Sequence, residues 1–214
     1  MENLHDWRQN YKKSELLETQ IEKNPMQQFK TWFLEAQSLE KLSEPNAMAI
    51  SSLEADGTLR TRMVLLKEFS SEGFVFYTNY NSRKGNAIQE HPQISLHFFW
   101  PTLERQVLIS AKAEKVAQSQ SDAYFSERPK GSQLGALVSN QSSVISDRNF
   151  LQSRMDDLEQ QYEGKPVERP SYWGGYLAKP YEVEFWQGRP NRLHDRILYR
   201  LNEKNEWIHE RLAP

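Results

Sequence analysis

Near the end of the chain, Arg192, His194 and Arg196 alternate with Leu193 and Asp195. Successive side chains of a strand point to opposite faces, so the spacing predicts a strand with three basic groups on one face. Unpaired charge is costly to bury, so that face should meet an anionic or electron-rich ligand and not a core. A second group is Tyr124 and Arg128, four apart and therefore on one face of a predicted helix. Pro129 should stop that helix at Arg128, and Gly131 and Ser132 should open a short new turn through Leu134. A hydroxyl, a guanidinium and the amides of a helix start are the parts of an oxyanion site. The structural alternative is a helix end with an ordinary serine cap.

Further cations lie on the run holding Arg60, Arg62 and Lys67. Arg62 and Lys67 are five apart, so a regular strand aims them at opposite faces, which suits two neighbouring anions better than one. Plain solvated charge is the alternative. Ser82, Arg83 and Lys84 are expected at one helix start, and Gln141, Ser142 and Ser143 near another, where serine also serves as a simple cap. Gln106 opens a predicted strand and can present its amide to a heterocycle; Trp186 is expected in the core. There is no P-loop and no G-x-G-x-x-G after a strand. The five histidines do not fall at metal-ligand spacing, so no metal is expected, and no nucleophile elbow supports Ser–His–Asp chemistry.

These residues need a scaffold that the hydrophobic pattern outlines. Asn24 and Pro25 signal a helix start, after which Met26, Phe29, Trp32, Phe33, Ala36 and Leu39 recur at helical spacing to about Lys41. The period then changes. Strands are expected over Ala47–Leu53, Leu59–Lys67 and Phe74–Asn79, with hairpin signals at Asp56-Gly57 and Ser71-Glu72-Gly73. A helix over Ser82–Glu90 precedes strands over Gln93–Trp100 and Gln106–Ala117. Helices over Ser119–Glu127 and Ser146–Tyr162 follow, then strands over Tyr181–Gln187, Arg192–Leu201 and Trp207–Leu212. Many short antiparallel strands imply a mainly β fold with flanking helices, a small barrel in one domain over residues 25–214. Residues 1–24 form a polar lead-in, expected to be flexible, with Trp7, Tyr11, Leu16, Leu17 and Ile21 as its possible anchors.

The composition narrows the function. A formal charge of −2 disfavours nonspecific nucleic-acid binding. The absence of cysteine removes disulfides, thiolate nucleophiles and zinc–thiolate sites. The opening residues lack a signal-like apolar run, and no stretch approaches the ~18 apolar residues of a membrane span. A cytoplasmic protein without membrane or nucleic-acid partners is therefore expected.

Taken in order, the segments resemble the pyridoxine (pyridoxamine) 5′-phosphate oxidase family. The matching runs are R-M-V-L-L-K (Arg62–Lys67), F-Y-T-N (Phe76–Asn79), S-R-K-G (Ser82–Gly85) and E-R-Q-V (Glu104–Val107). Further runs are Y-F-S-E-R-P (Tyr124–Pro129), N-Q-S-S (Asn140–Ser143) and W-G-G-Y (Trp173–Tyr176). The series closes with E-F-W-Q-G (Glu184–Gly188), R-L-H-D-R (Arg192–Arg196) and a terminal R-L-A-P.

The resemblance implies an FMN-binding split β-barrel, assembled as a homodimer whose active sites draw on both subunits. It implies oxidation of pyridoxine or pyridoxamine 5′-phosphate by dioxygen to pyridoxal 5′-phosphate, with hydrogen peroxide and, from the amine, ammonia released. By motif, FMN binding falls to Arg62, Met63, Val64, Leu65, Leu66, Lys67, Tyr77, Thr78, Arg83, Lys84, Gln106, Gln141, Ser142, Trp186 and Arg196. Substrate binding falls to Lys67, Tyr124, Arg128, Ser132, Arg192 and His194, the last two being the catalytic candidates. Arg8 and Tyr11 match a lead-in segment that covers substrate in the family, although the glycine of that segment is missing from Lys12-Lys13-Ser14-Glu15-Leu16. Competing readings are a split-barrel FMN reductase with another substrate, a noncatalytic binder of FMN or pyridoxal phosphate, and a barrel for single-stranded nucleic acid.

Overall fold

The computed structural model describes the 214-residue chain except residues 1, 8 and 40–42. Helix α1 (Pro25–Gln37) begins as its sequence dictates, with the Asn24 side chain accepting from the Met26 amide at 2.8 Å. It ends at Gln37, short of the expected Lys41, which lies outside the described residues. Its apolar stripe carries Phe29 and Trp32 into the core. Each such burial contributes about 1.5–3 kcal/mol, and truncating either to alanine would cost about 3–5 kcal/mol.

Among the described residues nine strands form one curled antiparallel sheet, against which the buried side chains of this helix pack. They are β1 (Ala47–Leu53), β2 (Leu59–Leu65), β3 (Glu68–Ser70), β4 (Gly73–Asn79), β5 (Gln93–Trp100), β6 (Arg105–Lys115), β7 (Trp173–Gln187), β8 (Asp195–Leu201) and β9 (Trp207–Arg211). The order is β2-β1-β5-β6-β7-β4-β3, with β8 on β7 and β9 on β8. Strand β7 splits the sheet: Trp173 to Ala178 pair with β4, whereas Glu182 to Gln187 pair with β8. Alternate residues such as Leu96, Phe98, Val107, Ile109, Val183 and Phe185 fill the core.

Helix α2 (Arg83–Glu90) follows β4 and is capped by Ser82, whose hydroxyl accepts from Gly85. Helices α3 (Gln118–Glu127), α4 (Lys130–Val138) and α5 (Arg148–Gln161) lie between β6 and β7. A smaller apolar cluster around Phe125, Leu134, Val167 and Trp173 joins them to the sheet. Among the described residues no helix is long and apolar enough to cross a membrane.

Four expectations are corrected. The run Leu59–Lys67 is not one strand: the Leu66 amide still reaches Asn46, but Lys67 donates to Val75, so the chain changes partner between them. The Ser71-Glu72-Gly73 turn therefore joins β3, not β2, to β4. Strand β7 begins at Trp173, eight residues before Tyr181, because Gly174 and Gly175 permit close packing and Pro180 sits at a bulge opposite Ser110 and Ala111. Gln141 and Ser142 occupy a turn, and the following helix starts at Arg148 under an Asp147 cap. Finally, Arg192 and His194 precede β8: Pro190 opens a 3-10 turn, and Asn191 and Arg192 take left-handed φ values of 58° and 62°. The alternation that predicted one basic face therefore holds only from Asp195 onward.

The lead-in has little regular structure but does touch the barrel. Trp7 is 84 % exposed, whereas Leu16 is buried. The amides of Lys12 and Lys13 both donate to Glu104 Oε2, at 2.9 and 3.0 Å.

Candidate active site

Where β2 and β4 face α2, α3 and α4, they leave a cavity of about 730 Å³. That is the size of a small-ligand pocket. Arg62, Met63, Val64 and Leu65 reach it from β2, and Lys67 from the link to β3. Because β2 ends at Leu65, Arg62 and Lys67 both line this one space despite their odd spacing. Tyr77 and Thr78 come from β4, Lys84 from α2, and Gln141 and Ser142 from the turn after α4. Ser142 has φ 77°, a strained conformation for serine, and its hydroxyl accepts from the Arg83 amide at 3.3 Å.

Tyr124, Arg128 and Ser132 line the same cavity, as the Tyr–Arg–Ser spacing anticipates. Arg128 stands just past the end of α3, with extended backbone, and Pro129 precedes α4. No side chain caps α4, which runs nine residues to Val138 and not merely through Leu134. Ser132 thus sits in an uncapped first turn, where a hydroxyl and main-chain amides favour an anion.

The electrostatics point the same way. Arg62, Lys67, Lys84 and Arg128 line the cavity, and no carboxylate is among the described lining residues. Arg62 Nε and Arg128 Nη1 are buried without an acceptor. Burial, then the nearby Arg62 charge, pulls the Lys84 pKa down to about 8. Lys84 donates to Thr78 Oγ1, and to Gln141 Oε1 at 3.4 Å, both neutral. Arg128 is likewise pushed down by burial. Buried cations without counterions are costly, so these two groups, Arg62 with Lys84 and Arg128 with Tyr124 and Ser132, suit two bound anions. A phosphorylated cofactor and a phosphorylated substrate meet that requirement.

The wall beneath Arg128 is aromatic. Tyr77 and Tyr124 stack with ring centroids 3.9 Å apart, and Trp173 lies parallel to both. The Tyr77 hydroxyl donates to Glu68 at 3.0 Å, and burial pushes its pKa up. Sequence reasoning quoted Trp173 in a motif but gave it no role; Asn79 and Ser139 were missed too. The available signal for Trp173 was the glycine pair after it. A Cβ at Gly174 would lie 2.2 Å from the Tyr80 hydroxyl, and one at Gly175 would lie 2.8 Å from the Tyr77 ring.

Other candidates lie elsewhere on the chain. Leu66 turns into the core. Arg83 is held outside the cavity lining by Glu54, with Nη2 to Oε2 at 2.5 Å. Gln106, Trp186 and Arg196 are direct cross-strand neighbours on β6, β7 and β8, in one row with Phe99 of β5. Trp186 is half-buried on the outer face, not in the core. Gln106 bonds His97 at 2.9 Å, and Arg196 pairs with both oxygens of Glu184 at 2.7 and 3.0 Å. His194 packs on Trp186 with centroids 4.6 Å apart, and Tyr11 contacts both rings. Burial and then Arg192 lower the His194 pKa, with Asp195 opposing. This second cluster, joined in sequence by Arg192, is not part of the cavity lining of its own chain. Arg8 lies outside the described residues.

Comparison with known proteins gives concordant results. A family model described as pyridoxamine 5′-phosphate oxidase matches residues 34–162. A second, the pyridoxine 5′-phosphate oxidase C-terminal dimerisation region, matches residues 173–214. A pyridoxine/pyridoxamine 5′-phosphate oxidase of Flavobacterium psychrophilum is 53% identical over 100% of both chains. One of Acaryochloris marina is 50% identical over 99% of this chain and 96% of its own. Among solved structures, PhzG from Burkholderia lata in complex with tetrahydrophenazine-1-carboxylic acid superposes with a TM-score of 0.87 at 27% identity, covering 95% of this chain and 100% of that one.

Proposed function

The chain belongs to the pyridoxamine 5′-phosphate oxidase family, and from that premise we propose that its cavity is where FMN and a phosphorylated B6 vitamer meet. The protein oxidises pyridoxine 5′-phosphate or pyridoxamine 5′-phosphate to pyridoxal 5′-phosphate, with FMN as cofactor. When bound, FMN takes the two electrons removed from the substrate and passes them to dioxygen, giving hydrogen peroxide.

The observation that carries the site assignment is the pair of uncompensated cation groups in one cavity. Arg62 and Lys84, with Thr78, Gln141 and Ser142 beside them, hold the FMN phosphate; Met63, Val64 and Leu65 line its course. Lys67, Tyr124, Arg128 and Ser132 hold the substrate phosphate as an anchor away from the reacting carbon. Anchoring both molecules converts an encounter into an aligned contact, and alignment of this kind supplies several kcal/mol of a barrier.

The dimerisation region spans Trp186, Arg192, His194 and Arg196, and the chain is a homodimer. The exposed Met63, Phe99 and Leu108 form an apolar face around the Gln106–Trp186–Arg196 row. A second copy seated there brings its own row, with Arg192 and His194, to the first copy's cavity. Arg192 and His194 would then hold the substrate ring in place, while Gln106 and Arg196 would offer hydrogen bonds to the flavin heterocycle. Tyr11 travels with this cluster as part of a cover. Arg83 joins the FMN phosphate group through its main chain. A cytoplasmic location accords with charged substrates that do not cross bilayers unaided.

Mixed dimers test this arrangement. Assayed with substrate well below KM, Arg128→Ala and Arg192→Ala should each be nearly inactive. Coexpressed, they should regain about a quarter of normal activity, because half the dimers then carry one intact site. No recovery would place all site residues on one subunit.

A further inference from the structure

The contact between Arg189 and His194 has a consequence for the chemistry. The Arg189 main-chain N–H donates to His194 Nδ1 at 3.0 Å. A backbone amide can only donate, so Nδ1 must be the bare, accepting nitrogen. In the neutral ring the proton then resides on Nε2. Protonating Nδ1 as well would set two N–H groups against each other, so the same contact opposes the imidazolium.

The surroundings hold this geometry from several sides. Trp186 and Tyr11 pack on the ring. The Arg189 guanidinium bonds the Ser14 carbonyl at 3.1 Å and lies 3.4 Å from Glu15 and 3.5 Å from Asp195. Asp195 also accepts from the Leu16 amide at 3.0 Å. A Cβ on Gly188 would fall 2.8 Å from the Tyr11 ring, so the residue before Arg189 must be glycine for Tyr11 to seat. Among the described residues, the charged groups nearest His194 are Arg192 and Asp195, beside it in sequence, and Arg189, whose guanidinium is approached by Glu15 of the lead-in.

We propose that Arg189 is a positioning residue whose main-chain N–H locks His194 in the Nε2–H form, so that His194 meets the substrate as a hydrogen-bond donor and not as a base. This rests on the reading that His194 faces the substrate. A neutral ring locked this way has no free lone pair: Nδ1 is occupied and Nε2 carries hydrogen. Its partner is an oxygen or anionic substituent on the substrate ring, and the proton lost from the substrate leaves by another route.

The test uses the FMN-loaded dimer carrying 15N-histidine, with the His194 signals identified by their loss in His194→Gln. The expected spectrum near neutral pH has His194 bare at Nδ1 and protonated at Nε2. An Nδ1–H form, or a doubly protonated ring, overturns the proposal. Activity supplies a second readout. Glutamine places its NH2 near the position of Nε2, and asparagine near that of Nδ1. His194→Gln should therefore exceed His194→Asn in kcat by about tenfold, the worth of one such hydrogen bond. Equal loss in both overturns the donor role even if the tautomer is as expected. Full activity in Gln, Asn and Ala variants alike would remove His194 from the substrate site and the donor role with it, while leaving the spectrum unchanged.

Discussion

The guanidinium carbon of Arg128 lies 4.6 Å over the Trp173 ring, while Nη1 of the same side chain is buried with no acceptor. The indole face holds the cation in place before any ligand arrives, and the free donor is left for the ligand. Because Trp173 itself stacks with Tyr77 and Tyr124, the phosphate anchor is built on a rigid aromatic floor.

Replacing that floor should loosen the anchor without removing it. Trp173→Leu should raise the KM for pyridoxine 5′-phosphate by about 3- to 30-fold, the range of a partly desolvated cation–π contact. Trp173→Phe should recover part of the loss. Steady-state kinetics with the flavin content measured in parallel will check this.

Removing the cation is more severe. Arg128→Ala should weaken substrate binding by about 10- to 150-fold, as expected for a charge-assisted hydrogen bond. Flavin occupancy, read from the visible spectrum, should be nearly intact. Loss of flavin instead would mean that Arg128 serves the other phosphate.

Lys84 predicts a pH dependence for the cofactor. Its pKa of about 8 before FMN binds lies below the ordinary 10.5, and only the charged form attracts phosphate. FMN affinity should therefore fall as pH rises from 7 through 8, becoming roughly tenfold weaker at pH 9. Fluorescence titration will show it, and Lys84→Met should flatten the profile. Stability of the FMN-free protein runs the other way. Between 8 and 10.5 the unfolded chain binds more protons than the folded one, so this residue's contribution to stability rises with pH across that window.

Gly85 tests how tightly the FMN-side helix is seated. A Cβ there would lie 2.2 Å from the main-chain oxygen of Tyr80, which cannot rotate away. Gly85→Ala should cost about 2–4 kcal/mol of stability and displace Lys84, its neighbour. A lowered Tm together with weakened FMN binding is the expected pair of readouts.

Much of this protein is legible as local pattern. The 3.6-residue stripe of α1 with its Asn24-Pro25 start, the alternation of β5 and β6, and the Tyr124–Arg128–Pro129–Ser132 group each depend on residues within a few positions of one another. Sequence spacing reports such geometry because helix and strand periods are fixed by the backbone. It misreads Arg192 and His194 because two left-handed residues after Pro190 interrupt the period, and no side-chain pattern records a backbone angle. It also separates Arg62 from Lys67, since the switch of partner after Leu66 depends on which neighbouring strand each amide meets, Asn46 on one side and Val75 on the other.

By itself, then, the amino-acid order determined most of the helices and strands, the family and the roster of cationic and aromatic groups. Tertiary structure decided which of them meet. It set Arg62, Lys67, Lys84 and Arg128 around one cavity and aligned Gln106, Trp186 and Arg196 in a row apart from it. The reason is that strand register and partner choice are settled by long-range packing and hydrogen bonding, which local propensity does not encode.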